Sequence, residues 1–91
     1  MDDVSEQAIL DNAAMTVEAI AVSRALLDSD LPEARFRAQL LHHQAAISGD
    51  ASLEEAASRV VHLLGPPGSI PSLGCGAAVL AVSTRLAERL A

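Results

Sequence analysis

Apolar residues recur along the chain with a helical period, in four stretches separated by turn-forming residues. The separators lie around residues 28–30, at Gly49 and over residues 65–71, where Asp, Gly, Pro and Ser dominate. Apolar positions spaced by three and four residues are typical of helices that bury one face. The pattern therefore predicts four helices, over residues 4–27, 32–48, 52–64 and 72–90.

Local signals support these boundaries. Asp30 with Glu33 predicts an N-terminal capping box at the second helix, and Ser52 with Glu55 predicts another at the third. Gly65 follows the third helix as a natural C-terminal cap. Four helices joined by short connections predict an all-α protein, a small four-helix bundle in which all 91 residues form one domain.

The first helix has apolar residues on two faces. A broad face holds Ile9, Leu10, Ala13, Val17, Ile20, Ala21 and Leu27. A narrower second stripe holds Val4, Ala8, Met15, Val22 and Leu26. Because two apolar faces need two packing partners, we expect one face to meet the chain's own core and the second stripe to meet another subunit. Arg24 lies inside the broad apolar arc, so we expect it either to extend its charged end to solvent or to pair with Asp28 or Glu33 across an interface.

The chain carries no Asp, Glu, Lys or Arg between Arg59 and Arg85, although these four residue types make up 20% of the chain. The fourth helix begins in this gap, and its first half is apolar on all sides, which is typical of a buried helix. We predict that it forms the seam of a twofold homodimer. The predicted interface contains Met15, Val22, Leu26, Cys75, Val79, Val82, Leu86 and Leu90, with Arg24 and His43 as polar members.

The overall charge limits the classes of partner. A formal charge of −6 and a pI near 4.7 argue against nucleic acid and anionic membranes, since both need clustered cations. An acidic surface favours a basic protein partner. A single Cys suits a reducing compartment, the acidic N-terminus lacks a signal-peptide core, and the apolar run over residues 73–82 is too short to span a bilayer. We expect a cytoplasmic protein without membrane contact.

Two residue groups offer candidate chemistry. Cys75 lies between Gly74 and Gly76 at a helix start, where the dipole stabilises a thiolate, but no basic side chain is near in sequence. We predict that it behaves as a small hydrophobic residue. His42 and His43 point about 100° apart on a helix and cannot share a metal ion. We therefore expect no metal site and no cofactor, and an interior or interface position for His43.

The sequence contains no motif that specifies a reaction. Its leading functional prediction is a non-enzymatic protein–protein interaction module, such as a small acidic regulator, an adaptor or an inhibitor of the immunity type, acting as a homodimer. The alternative is a small helical enzyme or phosphotransfer unit that uses Cys75 or a histidine. The reactivity of the thiol in the native protein separates the two predictions.

Overall fold

A computed structural model describes the backbone of residues 3–90 and the side chains of residues 6–89. It contains four helices, α1 (Asp3–Leu27), α2 (Leu31–Ser48), α3 (Ala51–Leu64) and α4 (Cys75–Leu90). Successive helices pack on one another, and α4 returns to pack on α1. With short connections, this cyclic order is that of an antiparallel bundle. The prediction of an all-helical fold with four packed helices is confirmed.

The turn between α1 and α2 contains only one of the two hydrogen bonds of the predicted capping box, because the backbone N–H of Asp30 donates to Ala25 and the Glu33 carboxylate accepts from Arg37. The Asp30 carboxylate accepts a hydrogen bond from the backbone N–H of Glu33 at 3.2 Å.

Gly49 ends α2 in the left-handed conformation, with φ 79°. A residue with a Cβ is strained there, so glycine at this position ends the helix at little cost.

The cap of α3 differs from the prediction. Asp50, not Ser52, is the N-cap, and its carboxylate accepts from the backbone N–H of Leu53 at 3.1 Å. The Ser52 hydroxyl donates to the same oxygen of Asp50 at 3.0 Å. The prediction was wrong because Gly49 turns the chain so that Asp50 is extended and its short carboxylate lies over the first turn of α3.

Small aliphatic residues from all four helices build the core. Alanine supplies seven of its buried positions, which lets the helix axes approach closely, and larger residues fill the space between them. The buried apolar residues are Met15, Ala19, Val22, Ala25, Ala34, Ala38, Leu41, Ala45, Leu53, Ala57, Val60, Leu64, Cys75, Ala78, Val79, Val82 and Leu86. Within residues 53–64 of α3, every apolar residue lies in this core or packs against it.

The two faces of α1 are used in the opposite sense to our expectation. Met15 and Val22, from the narrow stripe, are in the core, and Leu26 packs against it. The broad face points to solvent. Both faces are apolar, so a count of apolar residues does not show which one points inward. Two buried polar residues, Asn12 and Glu18, also lie on the inner face, where other helices supply their partners.

Helix α4 is buried on one side only, which corrects the prediction of burial on all sides. Leu80 is 67% exposed, and Ala77 and Ala81 are exposed as well. The reason is topological, since among the described helices α4 packs only on α1 and α3. The helix also begins at Cys75 instead of residue 72, because residues 73–74 form a turn before it.

Candidate interaction surface

The residues predicted to form a dimer interface lie mainly inside one chain. Met15, Val22, Cys75, Val79, Val82 and Leu86 belong to the core, and Leu26 packs against it. They are covered without a second subunit, so the free apolar surface of the molecule lies elsewhere. Arg24 and His43 are exposed, so His43 does not take the interior position that was one of the two expected for it. The side chain of Leu90 lies outside the described residues.

The outer face of α1 is the main exposed apolar surface on a helix. We use this name for the outward side chains between residues 6 and 27. Five of its large aliphatic residues are half or more exposed: Ile9 51%, Leu10 59%, Val17 61%, Ile20 61% and Leu27 84%. Single exposed aliphatic residues are ordinary on protein surfaces, whereas a row of them along one helix makes this face the candidate interaction surface.

Two polar contacts on the inner face fix the rotation of α1. The Asn12 side-chain amide donates to the Leu86 carbonyl of α4 at 2.9 Å. On the α2 side, the buried Glu18 carboxylate lies 3.3 Å from the Arg37 guanidinium. Turning the helix to bury its outer face would break both contacts, and it would expose the core residues Met15 and Val22 to solvent. The aliphatic row is therefore held facing solvent.

Arg37 connects α1 and α2 through two acids. Its Nε donates to Glu33, one turn earlier on α2, at 2.7 Å, and its Nη1 donates to Glu18. The hydrogen bond to Glu33 and the nearby charge of Glu18 raise the pKa of Arg37 above its ordinary value. These acids and Arg37 satisfy one another, so this charge cluster is a structural feature of the bundle.

Cys75 begins α4 but faces the core. It is 6% exposed, and its desolvation raises the pKa of the thiol. A nucleophilic cysteine needs the opposite shift, together with access to solvent. Its position agrees with the small hydrophobic residue predicted from the sequence.

The two adjacent histidines of α2 point in different directions and have different surroundings. His42 Nε2 lies 3.9 Å from a carboxylate oxygen of Glu54 on α3. His43 points outward. Among the side chains of residues 6–89, no three His, Cys, Asp or Glu residues come together in a way that could hold a metal ion.

A cleft with a volume of about 440 Å³ lies between α3 and α4. Glu55, Arg59 and Arg85 line it together with small residues of α4, and all three charged side chains are exposed. Small-molecule sites fix their ligands through a few well-placed polar groups in an enclosed pocket. This cleft is open, and its charged side chains extend into solvent. It therefore lacks the fixed polar groups of a small-molecule site.

Sequence reasoning missed the role of Arg35. Its guanidinium donates to the carbonyls of Leu64, Gly65 and Ser69, at 3.2, 3.0 and 2.7 Å. It thereby ties the proline-containing loop after α3 to α2. The available signal was indirect: a loop rich in proline has few N–H donors of its own, so its carbonyls need donors from elsewhere.

Comparison with known proteins identifies no relative, since no protein-family model, curated protein or solved structure matches the chain. Within the described residues, no helix combines the length and apolar character needed to cross a bilayer.

Proposed function

We propose that the chain is a non-enzymatic protein-interaction module that acts as a homodimer and self-associates through the outer face of α1. The row of aliphatic side chains on that face is the observation that supports the proposal. Removing apolar surface from water is favourable by about 25 cal/mol per Å². A second copy of the chain offers an identical row, which is the basis of a self-complementary twofold contact.

The remaining surface suits a second, different partner. The chain has a formal charge of −6, and Glu54 and Glu55 are exposed on α3, away from the outer face of α1. A negative surface attracts a basic partner and increases its association rate. A dimer with two such surfaces would act as a small acidic adaptor, regulator or inhibitor.

The test is sedimentation of the Ile20→Asp variant over a range of protein concentrations. Ile20 is 61% exposed, so Asp costs little in the folded monomer but places an unpaired charge in the proposed contact. We expect the variant to stay monomeric, with unchanged helix content by circular dichroism, at concentrations where the native chain is dimeric.

The matched control is Ile70→Asp. Ile70 is 90% exposed in the loop after α3, outside the proposed contact. This variant should sediment like the native chain. A native chain that stays monomeric at several hundred micromolar, or an Ile20→Asp variant with native dimerisation, would overturn the proposed function.

A further inference from the structure

The outer face of α1 contains a heptad pattern. Its positions are separated alternately by four and three residues, and all of them are exposed: Glu6, Leu10, Ala13, Val17, Ile20, Arg24 and Leu27. We call these seven residues the α1 seam. Alternating spacings of four and three place side chains along the line where two helices meet in a coiled coil. The inner face of α1 is already packed in the bundle, so the seam is available to a helix from outside.

The two charged residues of the seam occupy matching positions near its ends. Glu6 and Arg24 are 18 residues apart, which is about five helical turns, so they lie on one line about 27 Å apart. Their midpoint in the sequence is Met15, which is 1% exposed in the core on the opposite side of the helix. Neither charge forms an ion pair with another described side chain.

We propose that a second copy of the chain docks on the α1 seam with its own α1 antiparallel, so that Glu6 of each chain pairs with Arg24 of the partner subunit. This inference rests on the proposed function and adds the orientation and register of the contact. The twofold axis lies at the level of Met15, and residues whose numbers add to 30 face each other. Leu10 then meets Ile20 of the partner subunit, and Ala13 meets Val17 of the partner subunit.

The charges choose between the two possible orientations. In a parallel, in-register pair, each residue of the seam meets its own copy. Glu6 would then face a second glutamate and Arg24 a second arginine, giving two repulsive contacts. The antiparallel pair replaces both with opposite-charge contacts, and it leaves only aliphatic side chains between them. Charge complementarity of this kind sets register and rejects the wrong arrangement.

The size of the seam determines the expected strength. From Glu6 to Leu27 it is about 32 Å long, and a helix is about 10 Å wide, so its footprint is about 300 Å². Stable protein complexes typically bury about 800 Å² on each partner. We therefore expect a reversible equilibrium between folded monomer and dimer that depends on concentration.

The experiment measures dimer dissociation constants by sedimentation at low ionic strength for Glu6→Arg, Arg24→Glu and the double variant. Because of the twofold axis, each single change converts two attractive contacts into two repulsive ones. We expect each single variant to dimerise about tenfold more weakly or worse. The double variant restores opposite charges in the antiparallel register, so its affinity should return to within about threefold of the native value.

A matched set controls for net charge. Glu55→Arg, Arg59→Glu and their double variant make the same changes at exposed positions on α3. These variants should dimerise within about threefold of the native chain, because their sites are outside the seam.

The outcomes separate this inference from the proposed function. A native chain without dimers overturns both. A dimer that Ile20→Asp dissociates, but whose affinity no charge reversal changes, overturns the register and leaves the proposed function standing. Weakened single variants with no recovery in the double variant would overturn the antiparallel orientation.

Discussion

At the scale of single residues, burial decides the chemistry of Cys75. A thiol at the start of a helix gains a thiolate-stabilising field from the free backbone amides and the helix dipole. In this chain the side chain turns into the core, and desolvation raises the pKa of the thiol. The loss of hydration outweighs the favourable field, because the thiolate would have to form in an apolar interior.

We predict that native Cys75 reacts with thiol reagents on the order of a hundredfold more slowly than an exposed cysteine, since it reacts only when the bundle opens locally. The matched control is Leu73→Cys combined with Cys75→Ala, since Leu73 is fully exposed two residues away. The measurement is the labelling rate at pH 7–9. The labelling rate should increase with pH for both proteins. For Cys75 this increase should occur at higher pH than for the exposed cysteine of the control, because the pKa of Cys75 is raised. Equal rates at pH 7 would instead favour an enzyme that uses this thiol.

At the scale of helices, the sequence predicts best where one face differs clearly from the other. Apolar and polar residues divide α3 into two halves, and the structure buries the apolar half. In α1 both faces are apolar. Contacts with residues on other helices determine which face packs into the core. Asn12 bonds to Leu86, and Glu18 bonds to Arg37. Such distant contacts leave no local pattern, so the sequence could show that α1 has a second surface but not which one it is.

The cap of α3 provides a prediction at this scale. Asp50→Ala should lower the free energy of unfolding at pH 7 by about 1 kcal/mol, because it removes the acceptor for the Leu53 N–H. Ser52→Ala should cost less than half as much. Hydrogen bonds from Leu53 and then Ser52 lower the pKa of Asp50. This stabilisation is present above the ordinary Asp pKa and disappears as the pH falls through the lowered one.

Urea unfolding at pH 7 and at successively lower pH values measures both effects. The difference in unfolding free energy between the native chain and Asp50→Ala should shrink towards low pH. The smaller effect of Ser52→Ala should also shrink, to the extent that it comes from the hydrogen bond between Ser52 and the Asp50 carboxylate. If Ser52→Ala cost as much as Asp50→Ala at pH 7, the cap would be Ser52, as the capping-box pattern predicts.

At the scale of the whole molecule, the bundle is closed by contacts between its first and last helices. The hydrogen bond from the buried Asn12 amide to the Leu86 carbonyl joins residues 74 positions apart. The other amide atom, Oδ1, is buried and has no hydrogen-bond partner among the described residues. The site therefore suits a side chain that donates a hydrogen bond to α4. It provides no hydrogen-bond donor from the described residues that could stabilise a carboxylate.

We predict that Asn12→Asp lowers the free energy of unfolding at pH 7 by about 3 kcal/mol or more, because it buries an unpaired carboxylate beside a carbonyl oxygen. Burial should raise the carboxyl pKa in the folded variant, since the protonated acid can donate to Leu86 as the amide does. A raised folded-state pKa means that stability falls as the pH rises past the ordinary Asp value. The deficit should therefore shrink as the pH is lowered from 7 to about 4.

Asn12→Ala is the control, since it removes the hydrogen bond without adding a charge. Its cost should be smaller, about 1–2 kcal/mol, and its difference from the native chain should not depend on pH over the same range. Urea unfolding of all three proteins at each pH gives the comparison. Equal costs for Asp and Ala, unchanged with pH, would mean that water reaches residue 12. The first and last helices would then not close a dry core at this position.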